Sequence, residues 1–369
     1  MKLPKHVALT SVALAGALAL TACGSDNNSG EGDTGSDTGS SVSGTLNGEG
    51  SSAQKNAIDE AIASFSANNP DATVNYNATG SGDGVKNFIA KQVDFAGSDS
   101  ALKDEAVDGV VETDQAAERC AGNPAWNLPL VAGPIAIAYN LPGVEGLTLD
   151  PTVLSEVMLG KIKNWNDPKI AALNEGVELP STAISVFFRS DESGTTDNFQ
   201  KYLSGSAPEA WTAEPSKVWP GTAGEGRTKS DGVAQGVKNV EGGITYVEWS
   251  YATDNQLGVA QIDNGAGAVE LTGESAGKAL AAAEVAGEGN DLKLSLDYAT
   301  KEAGTYPIVM VTYEIVCSKG LDADKTTLVK SFLKHFASDE TQGTLEEAGF
   351  APIPAEIATK VNTAIDAIS

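Results

Sequence analysis

Three times this chain runs from a short strand-like segment, through glycine with serine or threonine, straight into a helix. Thr45–Ala53 (TLNGEGSSA) leads into a helix with Ile58, Ile62 and Phe65 on one face. Ala72–Asn77 alternates as a strand, and Ala78–Gly84 (ATGSGDG) opens a helix carrying Val85, Phe88 and Ile89. The apolar run Ala183–Phe188 ends at Arg189, and Ser190–Thr196 (SDESGTT) opens a polar helix from Asp197 to Leu203. Alternation of this kind predicts an α/β fold with mostly parallel sheets. It also predicts a place for chemistry, because the first turn of a helix leaves up to about four N–H groups unpaired. In such sheets ligands gather beyond the carboxyl ends of strands, so three loops of one kind can share a crevice. Their N–H groups would then surround a compact anion. Taken singly, each serine also fits a plain helix N-cap, worth about 1 kcal/mol. The spacing Gly-x-x-x-x-Gly-Lys-Ser/Thr of a phosphate loop is absent, and neither Gly48-x-Gly50 nor residues 80–84 complete a dinucleotide fingerprint.

The third junction differs from the other two in carrying a guanidinium. Arginine occurs only at Arg119, Arg189 and Arg227, so its placement at a strand-to-helix junction is selective. Arginine beside free helical N–H groups describes an oxyanion site. The chain as a whole is strongly acidic, with a formal net charge of −26. That excludes nucleic acid and simple adsorption to anionic lipid as partners, and any bound anion must be held by local dipoles. Asp94 and Asp99, in VDFAGSD, fit turn or cap roles unless Asp99 points into the anion shell. His6 and His335 are the only histidines. With His6 in the leader, His335 alone can build neither a His-based zinc site nor a Ser-His-Asp triad, so no metal and no cofactor is expected.

The first residues bear on compartment. Met1–Lys5 is a basic start, and Val7–Leu20 is an apolar run shorter than the roughly 17–25 residues of a membrane span, which suits an export signal. It ends in Leu20-Thr21-Ala22-Cys23-Gly24, which resembles a bacterial lipobox with Cys23 as the lipidated residue; an ordinary signal cut near the same place is the alternative. Residues 1–22 are therefore expected as signal peptide. Residues 23–43 are expected as lipidated cysteine and flexible tether, since Gly24–Ser43 has almost nothing apolar to bury. The expected location is the extracytoplasmic face of a bacterial cell membrane, held by lipid alone. Cys120 and Cys317 remain, each beside a long apolar run (128–139 and 306–317). A disulfide between them is expected, with two buried free thiols as the alternative.

The motifs together resemble the bacterial periplasmic phosphate-binding proteins, the substrate-capturing components of phosphate ABC transporters. The resemblance rests on Gly48-x-Gly50-Ser51-Ser52, Thr79–Lys86, Val93–Asp99 and Arg189–Thr195. It continues through Leu159–Trp165, Ser230–Ala234 and Gly243–Glu248, in order along nearly everything after the tether. It implies a two-lobed periplasmic-binding-protein fold of type II, each lobe a mostly parallel sheet flanked by helices. Residues 44–132 with 303–369 would form lobe I and 133–302 lobe II, with two crossover strands at 128–139 and 306–317 and the two cysteines near the hinge. It implies inorganic phosphate bound by Ser52, Ala53 and Ser81, with Asp99 as acceptor, and by Arg189, Ser193, Gly194 and Thr195 from the other lobe. Asp191 would hold the arginine, and Glu49 would face solvent. The implied protein is no enzyme: a monomer that delivers phosphate to two permease subunits and an ATPase. Three other uses of these residues stay open: a phosphatase with Ser193 as nucleophile, a binder of molybdate or sulfate, and a surface adhesin or sensor.

Overall fold

The computed structural model describes residues 42–106, 109–351 and 353–369. The expected signal peptide, Cys23 and nearly all of the tether lie outside them. Among the described residues no helix is long and apolar enough to cross a membrane.

The chain opens with β1 (Gly44–Gly50), α1 (Lys55–Asn68), β2 (Ala72–Ala78), α2 (Ser81–Ile89), β3 (Phe95–Ser98) and α3 (Glu112–Arg119). The long strand β4 (Ala125–Tyr139) leads to β5 (Thr148–Leu149), α4 (Pro151–Met158) and α5 (Pro168–Leu173). Next come β6 (Ser185–Arg189), α6 (Gly194–Ser206), β7 (Glu225–Arg227), α7 (Lys229–Lys238), β8 (Gly243–Glu248) and α8 (Trp249–Asp254). Short pieces follow: β9 (Gly258–Val259), β10 (Gln261–Asp263), β11 (Ala268–Val269), α9 (Gly273–Ala281), β12 (Glu284–Val285) and β13 (Leu294–Ser295). Strand β14 (Val309–Cys317) and helices α10 (Ala323–Phe336), α11 (Asp339–Glu347) and α12 (Ala355–Ala367) close the chain.

One nine-stranded sheet runs through the body in the order β2-β1-β3-β14-β4-β8-β6-β7, with β9 also on β4. Its two ends are parallel, β2, β1 and β3 at one and β8, β6 and β7 at the other, as the strand–loop–helix alternation predicts. The middle is antiparallel, β14 lying between β3 and β4. Strand β4 is buried along its whole length, which explains a sequence that is apolar apart from Asn127. Residues 125–134 pair with β14 and residues 135–139 pair with β8. A single strand therefore serves both lobes, and the chain returns beside it where Ile135 N–H donates to Ile308 O at 2.8 Å.

The cores follow this division. One cluster gathers Ile135–Tyr139 of β4 with Leu154, Trp165, Phe199, Tyr202, Trp219 and Tyr246. The other lobe has a cluster on each face of its sheet, one holding Phe65, Phe95, Leu128 and Phe332 and the other Val85, Phe88, Ala96 and Ile315. Residues 273–295, expected in lobe II, depart from that expectation. Ala276, Ala279 and Leu280 of α9 pack on the Val85–Ile315 cluster, and Leu292 on the Phe65–Phe332 cluster. Asp291 fixes this excursion by accepting from the Asn127 backbone N–H at 2.8 Å.

Cys120 and Cys317 form a disulfide with Cα atoms 5.4 Å apart. Arg119 covers it, its Nη1 donating to Cys317 Sγ at 2.6 Å while its guanidinium stacks 4.0 Å from the Phe88 ring centroid. Cys317 pairs with Ala125, the end of β14 away from the lobe junction. The bridge therefore ties α3 to one lobe and does not reach the hinge, contrary to expectation.

Candidate anion-binding site

The three junction loops converge at the carboxyl ends of their strands. Gly50 (φ +142°) lets β1 pass so close to β3 that a Cβ there would lie 2.0 Å from Gly97 O. Ser51 N–H then donates to Gly97 O at 2.8 Å, and Gly80 N–H to Gly50 O at 2.8 Å, which sets the first two loops side by side. Gly80, at φ +118°, caps α2 so that Ser81 is its first residue.

Asp99, directly after β3, is the meeting point of this half. Only 4% of it is exposed. Its Oδ1 accepts from Ser51 Oγ at 2.5 Å and from Thr312 Oγ1 at 2.7 Å, and its Oδ2 accepts from Ser81 Oγ at 3.0 Å. The register shift in β14 between Thr312 and Tyr313 sits at this contact, as bulges beside sites often do. Burial raises the Asp99 pKa, while the three hydroxyl bonds and the charge of Arg189 oppose that rise.

The second half is built on β6. Arg189, 2% exposed, ends the strand, and its Nε donates to Asp191 Oδ1 at 2.8 Å while Nη2 donates to Asp191 Oδ2. Nη1 donates to Ser230 Oγ at 3.2 Å. Burial works against the guanidinium charge, but Asp191 outweighs it and holds the Arg189 pKa above its usual value. Burial likewise opposes the Asp191 carboxylate, and Arg189 more than offsets that, keeping Asp191 low. Lys229 N–H adds a bond to Asp191 Oδ1 at 2.9 Å. Ser193 caps α6, its Oγ accepting from Thr196 N–H at 3.2 Å. Gly194 and Thr195 follow as the first turn, where helical N–H groups lie free. Thr195 Oγ1 donates to Glu248 Oε1 at 2.5 Å.

The halves touch. Ser52 Oγ lies 3.0 Å from Ser230 Oγ and accepts from Ser230 N–H at 3.2 Å. Asn198 Nδ2 donates to Asp99 O at 2.7 Å, and Ser100 Oγ to Asp197 Oδ2 at 2.7 Å. Gly82 N–H donates to Glu192 O at 3.0 Å. Gly194 faces Asp99 so closely that a Cβ on it would lie 2.6 Å from Asp99 Cβ and 2.7 Å from Ser81 Oγ. This is a closed cleft, with a carboxylate on one wall and a guanidinium and a helix N-terminus on the other.

Ser52, Ser81, Asp99, Arg189, Asp191, Ser193, Gly194 and Thr195 are thus brought together. Ala53 lies with them, its N–H donating to Ser51 Oγ at 3.0 Å. Glu49, expected to face solvent, is half-buried. The residues not anticipated are Ser51, Thr312, Ser230, Asn198 and Glu248. Ser230 and Glu248 fell inside quoted motifs, and their position in the first turn of α7 and at the end of β8 was the available signal. Arg227 stands opposite Arg189 across the β6–β7 pair, but its side chain is exposed and paired with Glu225 at 3.0 Å. Half-buried His335 bonds Ser64 Oγ at 2.7 Å, and Ser193 is engaged in capping, so among the described residues no histidine base serves it.

Residues 35–340 match the PBP superfamily domain. Over the full length of both chains, the protein is 44% identical to phosphate-binding protein PstS2 of Mycobacterium bovis (strain BCG). It is 45% identical, again over both whole chains, to phosphate-binding protein PstS 3 of Mycobacterium tuberculosis. Its fold matches a high-affinity periplasmic phosphate-binding protein solved with phosphate bound, at a TM-score of 0.69 and 22% identity, covering 86% of this chain and 93% of that one. With a parallel α/β sheet at each end and a closed cleft between, the chain belongs to the PstS family of phosphate-binding proteins within the PBP superfamily.

Proposed function

We propose that this protein captures inorganic phosphate in the cleft between its lobes and delivers it to a phosphate ABC transporter, as a binding protein and not an enzyme. The observation that carries the reading is Asp99, a buried acceptor placed against the free N–H groups of α6 and opposite Arg189. Phosphate near neutral pH keeps at least one proton and can donate it to a carboxylate. Sulfate has none, and its oxygens would face the Asp99 oxygens unpaired. A buried polar group left unpaired costs about 1–3 kcal/mol, more when charged, so the carboxylate discriminates by rejection. Attraction comes from Arg189, from the hydroxyls of Ser52, Ser81 and Thr195, and from the N–H groups of Gly194 and Thr195; the Ser193 N–H, expected to join them, instead donates to Lys217 O at 2.9 Å, and the Ala53 N–H to Ser51 Oγ at 3.0 Å. Charge-assisted bonds of this kind contribute about 1.5–3 kcal/mol each. Because these groups come from both lobes, ligand favours the closed form by its differential affinity.

The finer partners and placement belong to the same proposal. The body acts as a monomer, tethered through a lipid on Cys23 to the extracytoplasmic face of the membrane, and docks on two permease subunits with their ATPase. Lobe I comprises residues 44–132 and 303–369, joined by the 273–295 excursion that packs on it. Titration calorimetry with phosphate, then with sulfate as competitor, tests the reading. Wild type should bind phosphate and ignore sulfate, and Asp99→Asn should narrow that preference by about tenfold or more, the equivalent of one lost buried pairing. Unchanged discrimination in the variant would refute the role of Asp99.

A further inference from the structure

Glu248 ends β8 beside the N-termini of α6 and α7 and is 2% exposed. Its Oε1 accepts from Thr195, and its Oε2 has no hydrogen-bond partner. Arg189 of β6, Ser230 of α7, Tyr251 of α8 and, from the opposite lobe, Asp99 are the charged or polar groups that face it. Burial holds its carboxyl above the usual range, and Asp99 adds to that against Arg189, Ser230 and Thr195.

The closed site thus holds three carboxylates, Asp99, Asp191 and Glu248, against the single guanidinium of Arg189. An arriving phosphate adds further negative charge, and a buried site of like charges relieves itself by binding a proton. Asp191 cannot be the acceptor without breaking its fork with Arg189. Asp99 has its charge supported by three hydroxyl donors. Glu248 has Thr195 bonded to Oε1, the Ser230 hydroxyl nearby, and an Oε2 with no partner at hydrogen-bond geometry. Protonated there, it changes from an acceptor that repels an anion into a donor.

We propose that Glu248 takes up a proton as the cleft closes on its anion, which makes capture a joint binding of anion and proton. The step forms one O–H bond on the carboxylate with a proton from buffer or water, and nothing is oxidised or reduced. It rests on the phosphate reading above.

Calorimetric titration with inorganic phosphate in mildly alkaline buffers of different ionisation enthalpy counts the protons. Under those conditions phosphate is almost wholly the dianion and already carries the proton that Asp99 accepts. Wild type should take up about one proton per phosphate, with affinity falling by up to about tenfold per pH unit. Glu248→Gln should take up almost none and show a flat profile. The proposal fails if wild type binds phosphate without proton uptake, or if Glu248→Gln keeps that uptake. Should Glu248→Gln not fold, infrared difference spectra of wild type decide: a protonated-carboxyl band must appear when phosphate is added, and its absence overturns the proposal. Phosphate that does not bind at all overturns the functional reading instead, and the proton proposal with it.

Discussion

Replacing Glu314 by glutamine should stabilise this protein in alkaline solution and leave it nearly unchanged in acid. Glu314 lies in β14 opposite Gly97, fully buried, with no hydrogen-bond partner on either carboxyl oxygen. The missing side chain of Gly97 makes a socket that Gln54 Nε2 and Tyr76 OH fill, a Cβ there meeting them at 2.1 and 2.4 Å. Gln54 Oε1 is also unpartnered. Burial pushes the Glu314 carboxyl up to about 8 from an ordinary 4.5, with the charge of Asp99 adding and Gln54 opposing. Its folded pKa is therefore above its unfolded one, so between those values the folded state holds a proton that the unfolded chain has released. Stability is full below the unfolded pKa and is lost as pH rises through the folded one, at up to about 1.4 kcal/mol per pH unit. Between about pH 5 and about pH 9 the loss from this one group sums to about 4 kcal/mol. Glutamine has nearly the same shape and no charge, so it should follow wild type near pH 5 and exceed it by about that amount near pH 9. Urea denaturation followed by tryptophan fluorescence and circular dichroism across this range measures the difference. A gap between the two proteins that does not change with pH would refute the reasoning, because every other titrating group is common to both.

Other substitutions probe the cleft. Gly194→Ala places a methyl 2.6 Å from Asp99 Cβ, and overpacking of about 1–3 kcal/mol should weaken phosphate binding by roughly 5- to 150-fold. Thermal melting of the ligand-free protein reads the accompanying change in the closed form, and undiminished affinity would show that the lobes need not approach this far. Arg189→Ala removes a buried charge from its pair with Asp191 and should cost about 3–5 kcal/mol of binding or folding. Arg227→Ala, on an exposed ion pair, should change affinity by less than about 1 kcal/mol. Equal losses in calorimetry would contradict the assignment of the anion to Arg189.

What could be read from the sequence was local. Ser52, Ser81, Arg189 and Ser193 announce themselves because a strand, a small polar loop and a helix start are written within ten residues of each other. Asp191 lies two residues from the arginine it holds. Thr312 and Asp99 are 213 positions apart and meet at 2.7 Å only because β14 inserts between β3 and β4. No local pattern encodes that insertion. Ser230 and Glu248 were visible as motif members without a task, since their task depends on which strand ends lie together. The excursion at 273–295 went unread because α9 carries only a serine, two alanines and a leucine on its buried face, too little to reveal which lobe receives it. Glu314 was legible in one respect: a lone acid in VMVTYEIVC breaks an apolar run that must be buried.

Strand β4 has a mechanical consequence. Its residues pass from one partner strand to another at Pro134 and Ile135 without leaving the sheet, so the lobes share a continuous β-ribbon and not a loose linker. Parting them means changing the twist of that ribbon against its own ladder of hydrogen bonds. The molecule is built like a leaf spring, with a resting angle and a stiffness set in the middle of the sheet. How far it stands open between captures is then written at residues 133–135 and 306–308, in the backbone of the sheet and not in the side chains that line the cleft.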